Sequence, residues 1–297
     1  MIAHLHDSPR KPSRVVVLGA GGFIGGAATR RLRNEGIDVA ALGRDSCDLL
    51  APDAATRLAA ELRPDDTLVF MSARAPVKDV AMLMENIRMG AAVCAALTER
   101  PVAHVVYVSS DAVYKDSAEP LSESSCAEPG SLHGVMHLTR EVMLRSEFSG
   151  PLVLVRPTLT YGIDDPHNGY GPNRFRRLAA EGKDILLFGE GEEQRNHVAV
   201  DDIAELILHL VQHRSTGIVN AVTGDVVSFK TLADYIAAQF DPRVTIKDSP
   251  RVGPMPHNGL RPFTPSAALA AFPGFEFTPW RDGVARMCAE TKTARAR

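Results

Sequence analysis

The stretch "SLHGVMH", residues Ser131 to His137, carries two histidines four positions apart, His133 and His137. On a helix an i, i+4 pair shares one face, so both imidazoles can reach one ion or one substrate group. A zinc-type site needs at least a third protein ligand. None is identifiable, no HExxH glutamate lies between the two, and Gly134 directly follows His133, so metal binding ranks last and no metal ligand is assigned. Acid–base work needs only one imidazole, whose free pKa of ~6.5 is already close to neutrality. A second pair at the same spacing, His209 and His213 in "AELILHLVQHR", falls near an expected helix carboxyl end, where cations interact favourably with the dipole. The spacing therefore also arises without chemistry.

A second group of residues suits phosphate. In "GAGGFIG", Gly19, Gly22 and Gly25 fall between a strand and a helix. Glycine there permits a tight turn and lets backbone amides approach a pyrophosphate, whose charge is favoured at the helix amino terminus. The alternative is that the glycines only turn the chain and pack helix on strand. Their placement favours dinucleotide binding, with Phe23 and Ile24 inside the motif and Ser72 and Ala73 at the end of a later strand completing the cleft. Where such a site carries an acidic residue for the adenosine ribose, this chain has Gly43 followed by Arg44. Arginine suits a 2'-phosphate, so NADP(H) is favoured over NAD(H), and Asp45 keeps NAD(H) open.

The elements that must hold these residues are legible from the apolar pattern. "RVVVLGAGGFIGGAATRRLRNEGIDVAALGR" reads strand, glycine turn, helix, strand, a βαβ unit of about 30 residues. Further strands are expected at 67–72, 104–110 and 151–157, with helical patterns between them. Continuous Val/Leu runs indicate strands buried on both faces. The alternation predicts an α/β fold, a Rossmann-type doubly wound parallel sheet with a smaller, loop-rich substrate lobe. The expected organisation is a disordered extension over 1–13 and a dinucleotide-binding domain over 14–157, with 197–222 returning to it. The substrate lobe is expected at 158–196 and 223–297, with helices near 174–181 and 201–213.

Composition narrows the classes. The 297 residues are 45% hydrophobic and 23% charged, with net charge −3, the balance of an ordinary globular protein. Basic residues number 33 against 36 acidic ones without a Lys/Arg run, so no footprint for nucleic acid is visible. No apolar run approaches the roughly 20 residues that span a bilayer, and the amino terminus lacks a signal-peptide core, so a cytoplasmic location away from membranes is expected. Cys47, Cys94, Cys126 and Cys288 form no CxxC and read as free thiols.

These landmarks together resemble the extended short-chain dehydrogenase/reductases, the NAD(P)-dependent epimerase/dehydratase family that modifies nucleotide-linked sugars. The resemblance runs through GxxGxxG with Phe23 and Ile24, "YVSSDAVY", "RPTLTYG" (156–162), "LLFGEGEEQRNHVAVDDIAELI" (186–207) and "LRPFTPSAAL" (260–269), in order over nearly the whole chain. It implies a catalytic Ser at Ser110, a carboxylate for the adenine at Asp48, and substrate contacts at Asn173, Arg195 and Arg261. Arg195 is the residue facing a sugar-nucleotide diphosphate, for which a guanidinium fork is suited. A homodimer is expected as well.

In this register the family's Tyr-x-x-x-Lys falls on "HGVMH", so His133 takes the tyrosine position and His137 the lysine position. In the usual dyad lysine lowers a tyrosine pKa from ~10 and holds the nicotinamide ribose. A histidine at 133 needs no such help, and a neutral His137 can still hydrogen-bond a ribose. Two readings stand: histidine-mediated epimerisation or keto-reduction, and a catalytically degenerate, NAD(P)-binding relative with a regulatory or scaffolding role. Asp111 matches the acid of the dehydratases, but Ala112 replaces the glutamate that follows it, which disfavours dehydration.

Overall fold

The computed structural model describes residues 2–295. In chain order the first half holds β1 (Ala3–His4), β2 (Val15–Leu18), α1 (Phe23–Asn34), β3 (Val39–Leu42), α2 (Ala54–Glu61), β4 (Thr67–Phe70), α3 (Val80–Glu99), β5 (His104–Val108), α4 (Leu132–Glu147) and β6 (Leu152–Pro157). The second half holds β7 (Leu159–Tyr161), α5 (Pro172–Ala180), β8 (Ile185–Phe188), β9 (Gln194–Ala199), α6 (Val200–Gln212), β10 (Ser215–Ala221), β11 (Val226–Ser228), α7 (Phe229–Ala237), β12 (Ile246–Ser249), β13 (Leu260–Arg261), α8 (Ser266–Ala271) and α9 (Trp280–Arg295).

The main sheet has seven strands in the order β1-β10-β6-β5-β4-β2-β3, parallel except for β1. Each strand has period two, so Val15 and Val17 of β2 face α1 and α6 while Val16 and Leu18 face the layer of α2, α3 and α4. With a helical layer on both sides, every residue of β2, β4 and β5 is buried, which is why these strands read as unbroken apolar runs. From β2 the chain winds outward to β3 and then crosses back to β4. The sheet reverses direction between β2 and β4, and a crevice opens at their carboxyl ends. No strand forms over 43–53, where the chain turns from β3 into α2.

Three features depart from expectation. The segment from Ala3 to His6 is docked, not disordered: β1 pairs antiparallel with β10, His4 bridges Ser215 Oγ (2.9 Å) and the Ala271 carbonyl (3.0 Å), and the Leu5 and His6 N–H groups donate to the His213 carbonyl. The carboxyl-terminal third is not all lobe, because Ala268, Phe272 and Phe275 join the core beside α6. Finally, α3 is by length and composition apolar enough to cross a membrane, with a mean hydropathy of 1.4. Its apolar residues have a use in the fold, since Val93, Cys94, Ala96 and Leu97 are buried where it packs between α2 and α4.

The lobe has its own core, in which Phe175, Ile185, Leu187, Phe229, Leu232 and Ile236 pack together under two small sheets, β11-β9-β13 with β7 also paired to β9, and β8-β12.

Candidate active site

The crevice beside β2 is a cavity of about 670 Å³ lined by Gly19, Gly21, Gly22, Gly43, Arg44, Asp48, Ser72 and Ala73 among others. Two of its glycines are sterically required. At Gly19, with φ +99°, a Cβ would stand 2.8 Å from the Ser72 nitrogen, and at Gly25 one would stand 2.0 Å from the Gly19 carbonyl oxygen. Gly22 is the N-cap of α1 in extended backbone, with no side chain capping the helix and no acidic residue in its first turn. The amino-terminal N–H groups are thus free for an anion. Phe23 and Ile24 are half-buried, their side chains packed against the core beneath the turn.

Arg44 is exposed at the mouth of the crevice, with no side-chain partner. Asp48 is half-buried, its Oδ1 accepting the Leu50 N–H at 3.0 Å, which leaves Oδ2 for a ligand.

Across the sheet, Ser109 and Ser110 directly follow β5. Ser110 caps a short 3₁₀ turn, Asp111–Val113, its Oγ accepting the Ala112 N–H at 3.1 Å and donating to Asp111 Oδ1 at 3.3 Å. The start of α4 is pressed against this turn. Gly134 is the contact: a Cβ there would lie 2.0 Å from the Ala112 carbonyl oxygen. The glycine between the two histidines therefore brings His133 up to the Ser110 turn. Ser131 caps α4, its Oγ accepting the Gly134 N–H at 3.2 Å.

The two histidines do share a face, their rings edge-on with centroids 4.7 Å apart. Burial lowers the His133 pKa, against an opposing pull from Asp111, and its Nδ1 is sealed without a partner. His137 is deeper, 6% exposed, and burial holds its pKa well below the usual imidazole range, with His133 and Arg140 acting the same way. Its Nδ1 lies 2.8 Å from the Tyr107 hydroxyl. Among the described residues, no group of three or more His, Cys, Asp or Glu is placed to hold a metal ion.

Two buried networks hold the pair, and the sequence pattern did not reveal either. Arg140 donates to the Asn86 carbonyl (2.9 and 2.7 Å), to Asn86 Oδ1 (3.1 Å) and to the Ser72 carbonyl (2.8 Å), tying α4 to α3 and to the edge of the crevice. Glu141 accepts from Ser109 Oγ (2.6 Å) and from both Nε and Nη2 of Arg156 (2.8 and 2.5 Å), joining β5, α4 and β6. The available signal was position: Arg140 lies three residues beyond His137, one turn along the same face.

On the lobe side the expected substrate residues divide. Arg261 is 1% exposed and spent within the chain. Its Nε donates to Asp111 Oδ2 (3.2 Å), its Nη2 to the Asp111 and Tyr114 carbonyls (2.7 and 3.3 Å), and its Nη1 to Asp116 and His257. It braces β13 against the Ser110 turn instead of presenting free donors. Asn173 is also buried and used at both ends of its amide, accepting the Gly162 N–H at 3.0 Å and donating to the Thr160 carbonyl at 3.2 Å. Arg195 is looser, bonded to Glu193 at 3.1 Å with its Nη2 3.9 Å from Asp111. Asp111 therefore faces two guanidinium groups and is an ion-pair partner, not a free acid.

Residues 15–222, from β2 through the end of β10, match the family described as NAD dependent epimerase/dehydratase. The chain belongs to this family. Among solved structures, this family member is similar to a GDP-L-fucose synthetase from Naegleria fowleri bound to NADP, at 17% identity and TM-score 0.83, covering 99% of this chain and 98% of that one. It is also similar to a UDP-glucose 4-epimerase from Thermus thermophilus in complex with NAD, at 21% identity and TM-score 0.82 over 95% of this chain and 99% of that one. A UDP-glucose 4-epimerase from Thermotoga maritima with UDP-glucose gives 19% identity and TM-score 0.80 over 95% and 99%. At these identities the likeness is one of fold.

Proposed function

We propose that the protein is an NAD(P)-dependent oxidoreductase or epimerase acting on a nucleotide-linked sugar, with His133 as its proton shuttle. The observation that carries this reading is the close approach of α4 to the Ser110 turn at Gly134, which sets an imidazole beside a serine at the sheet's carboxyl edge. Membership of the family and the bound molecules of the fold relatives, NADP, NAD and UDP-glucose, support the cofactor and substrate class.

The residues fit such a cofactor: Gly19 and Gly22 admit the pyrophosphate, Arg44 takes a 2'-phosphate, Asp48 accepts from the adenine, and Ser72 and Ala73 border the crevice. When bound, the nicotinamide supplies hydride exchange at a sugar carbon. Ser110 orients the sugar hydroxyl or ketone. His133, kept neutral by burial, accepts the hydroxyl proton as hydride leaves, or returns it as hydride arrives. Asp111, tied to Arg195 and Arg261, is not available for elimination, which supports epimerisation or reduction over dehydration. The same internal pairing supports a second reading, a NAD(P)-binding regulatory relative, because Arg195, expected to bind a diphosphate, and Arg261, expected to contact substrate, are already met by carboxylates.

Titration calorimetry tests the cofactor half. Gly22→Val is expected to abolish binding in a folded protein, and Arg44→Ala to weaken NADPH roughly 10- to 100-fold, the worth of a charge-assisted hydrogen bond, with little change for NAD⁺. Equal loss for both nucleotides would show that Arg44 only faces solvent. A turnover screen with nucleoside-diphosphate sugars separates the two readings.

The outer faces of α3 and α4 support a homodimer. Val80, Met84 and Val142 are 65%, 52% and 56% exposed, and an apolar groove of about 740 Å³ runs beside Val135, Leu138 and Met143. Val142→Asp is expected to shift the mass measured by light scattering to that of a monomer; an unchanged mass would place the interface elsewhere.

A further inference from the structure

His137 has a partner for one ring nitrogen, the Tyr107 hydroxyl 2.8 Å from its Nδ1, and none among the described residues for Nε2. Distance alone leaves the direction of that bond open, because either group can donate. The surroundings close it. Tyr107 is 1% exposed and, among the described residues, bonds to no other hydrogen-bond acceptor. Were His137 the donor, the phenolic proton would be buried without an acceptor, at a cost of ~1–3 kcal/mol.

Arg140 adds an independent constraint. A guanidinium has five N–H donors and no acceptor. Nε, both Nη2 hydrogens and one on Nη1 are used on Asn86 and Ser72, and the charged group lies beside Tyr107. A neighbour that carries only donors cannot take the phenolic proton, which leaves His137 Nδ1 as its acceptor.

We propose that Tyr107 is a positioning residue that holds His137 as the neutral imidazole with its proton on Nε2. The direction of donation then runs from Tyr107 to His137 Nδ1, and outward from His137 Nε2. If the cofactor reading above holds, on which this consequence rests, that N–H is the donor offered to the nicotinamide ribose. A neutral group then does the binding half of a lysine's work without its charge. The charged and titratable neighbours around the pair are His133, Arg140 and Glu141 from α4, and Asp111 from the turn after β5.

The test is a long-range ¹H–¹⁵N spectrum of the full chain labelled with ¹⁵N-histidine at neutral pH, with His137 assigned from the signals missing in His137→Gln. The expected result is a single tautomer, Nε2 protonated and Nδ1 bare. A wild-type His137 protonated on Nδ1 overturns the proposal, and this holds whether or not any Tyr107 variant folds. In Tyr107→Phe the preference is expected to collapse to a mixture, and an unchanged tautomer there removes Tyr107 from the role. Calorimetry with NADPH separates the two levels. A Kd raised roughly 2- to 10-fold in Tyr107→Phe, one hydrogen bond's worth, supports the outward donor. A wild-type protein that shows the Nε2–H tautomer but ignores NADPH supports the tautomer assignment and overturns the cofactor reading alone.

Discussion

Two helices of this protein carry histidines at the same i, i+4 spacing, and the two pairs live in different surroundings. On α4, His133 and His137 open the helix, face inward, and meet a phenol, a guanidinium and the Ser110 turn. On α6, His209 closes the helix and His213 is its C-cap. His209 stacks on Phe272 with centroids 5.2 Å apart and lies 3.5 Å from Glu205, while His213 Nδ1 meets the His6 carbonyl at 3.0 Å. His213 thus fastens the amino-terminal segment, while His209 packs against Phe272. Spacing decides that two side chains share a face; what packs against that face decides whether they can do chemistry.

Substituting one histidine from each pair is the strongest way to break the comparison. His133→Phe is expected to lower turnover roughly 10²- to 10⁴-fold with fold and cofactor binding kept, the usual worth of a positioned acid or base. His209→Phe is expected to leave turnover unchanged. Steady-state rates on the sugar nucleotide found by the screen decide it, and wild-type turnover in His133→Phe would take histidine out of the mechanism.

Acid stability sharpens the comparison through a third histidine that shares the burial of the α4 pair but not its partners. His197 is 1% exposed with both ring nitrogens unpaired against Phe229, and burial lowers its pKa to about 3. Because the folded value lies below the unfolded ~6.5, its neutral form is the one the fold accepts. Stability is full above pH ~6.5 and falls toward pH 3 by ~1.4 kcal/mol per pH unit. His133 and His137, lowered in the same direction, add to the same acid limb. In urea unfolding followed from pH 7 to pH 4, His197→Phe is expected to flatten that fall by up to the same slope. An unchanged slope would mean that His197 is not the buried neutral ring described here.

The smallest effect is expected at the surface. His209→Gln removes a contact with Glu205 in which both side chains are about a third exposed, and Glu205 keeps its pairing with Arg31. A stability change of ~0–1 kcal/mol in the same urea assay is expected, as for other exposed pairs. A larger loss would show that His209 stabilises the fold through its stacking on Phe272.

The parts of the fold visible in the sequence are those built by local pattern. Val15 to Leu18 followed by Gly19, Gly22 and Gly25 can hardly be read otherwise, because an unbroken apolar strand, a turn that excludes Cβ atoms and an amphipathic helix each leave a short-range mark. The docking of β1 left none. Two residues suffice for it, and what holds them is His4 against Ser215 and Ala271, more than 200 positions away.

For the site, the sequence by itself determined that His133 and His137 share a helical face, that a glycine lies between them, and that Ser110 ends a buried strand. Those are consequences of helix and strand periodicity and need no knowledge of distant residues. Only the tertiary structure decided that Gly134 lets α4 touch the Ser110 turn, that Tyr107 from β5 reaches His137, and that Arg261 and Asn173 are consumed as braces. Hydrogen bonding within a buried network depends on which side chains converge from separate elements. Because each donor can be spent only a limited number of times, a residue's function is settled by its partners in space, which no pattern along the chain records.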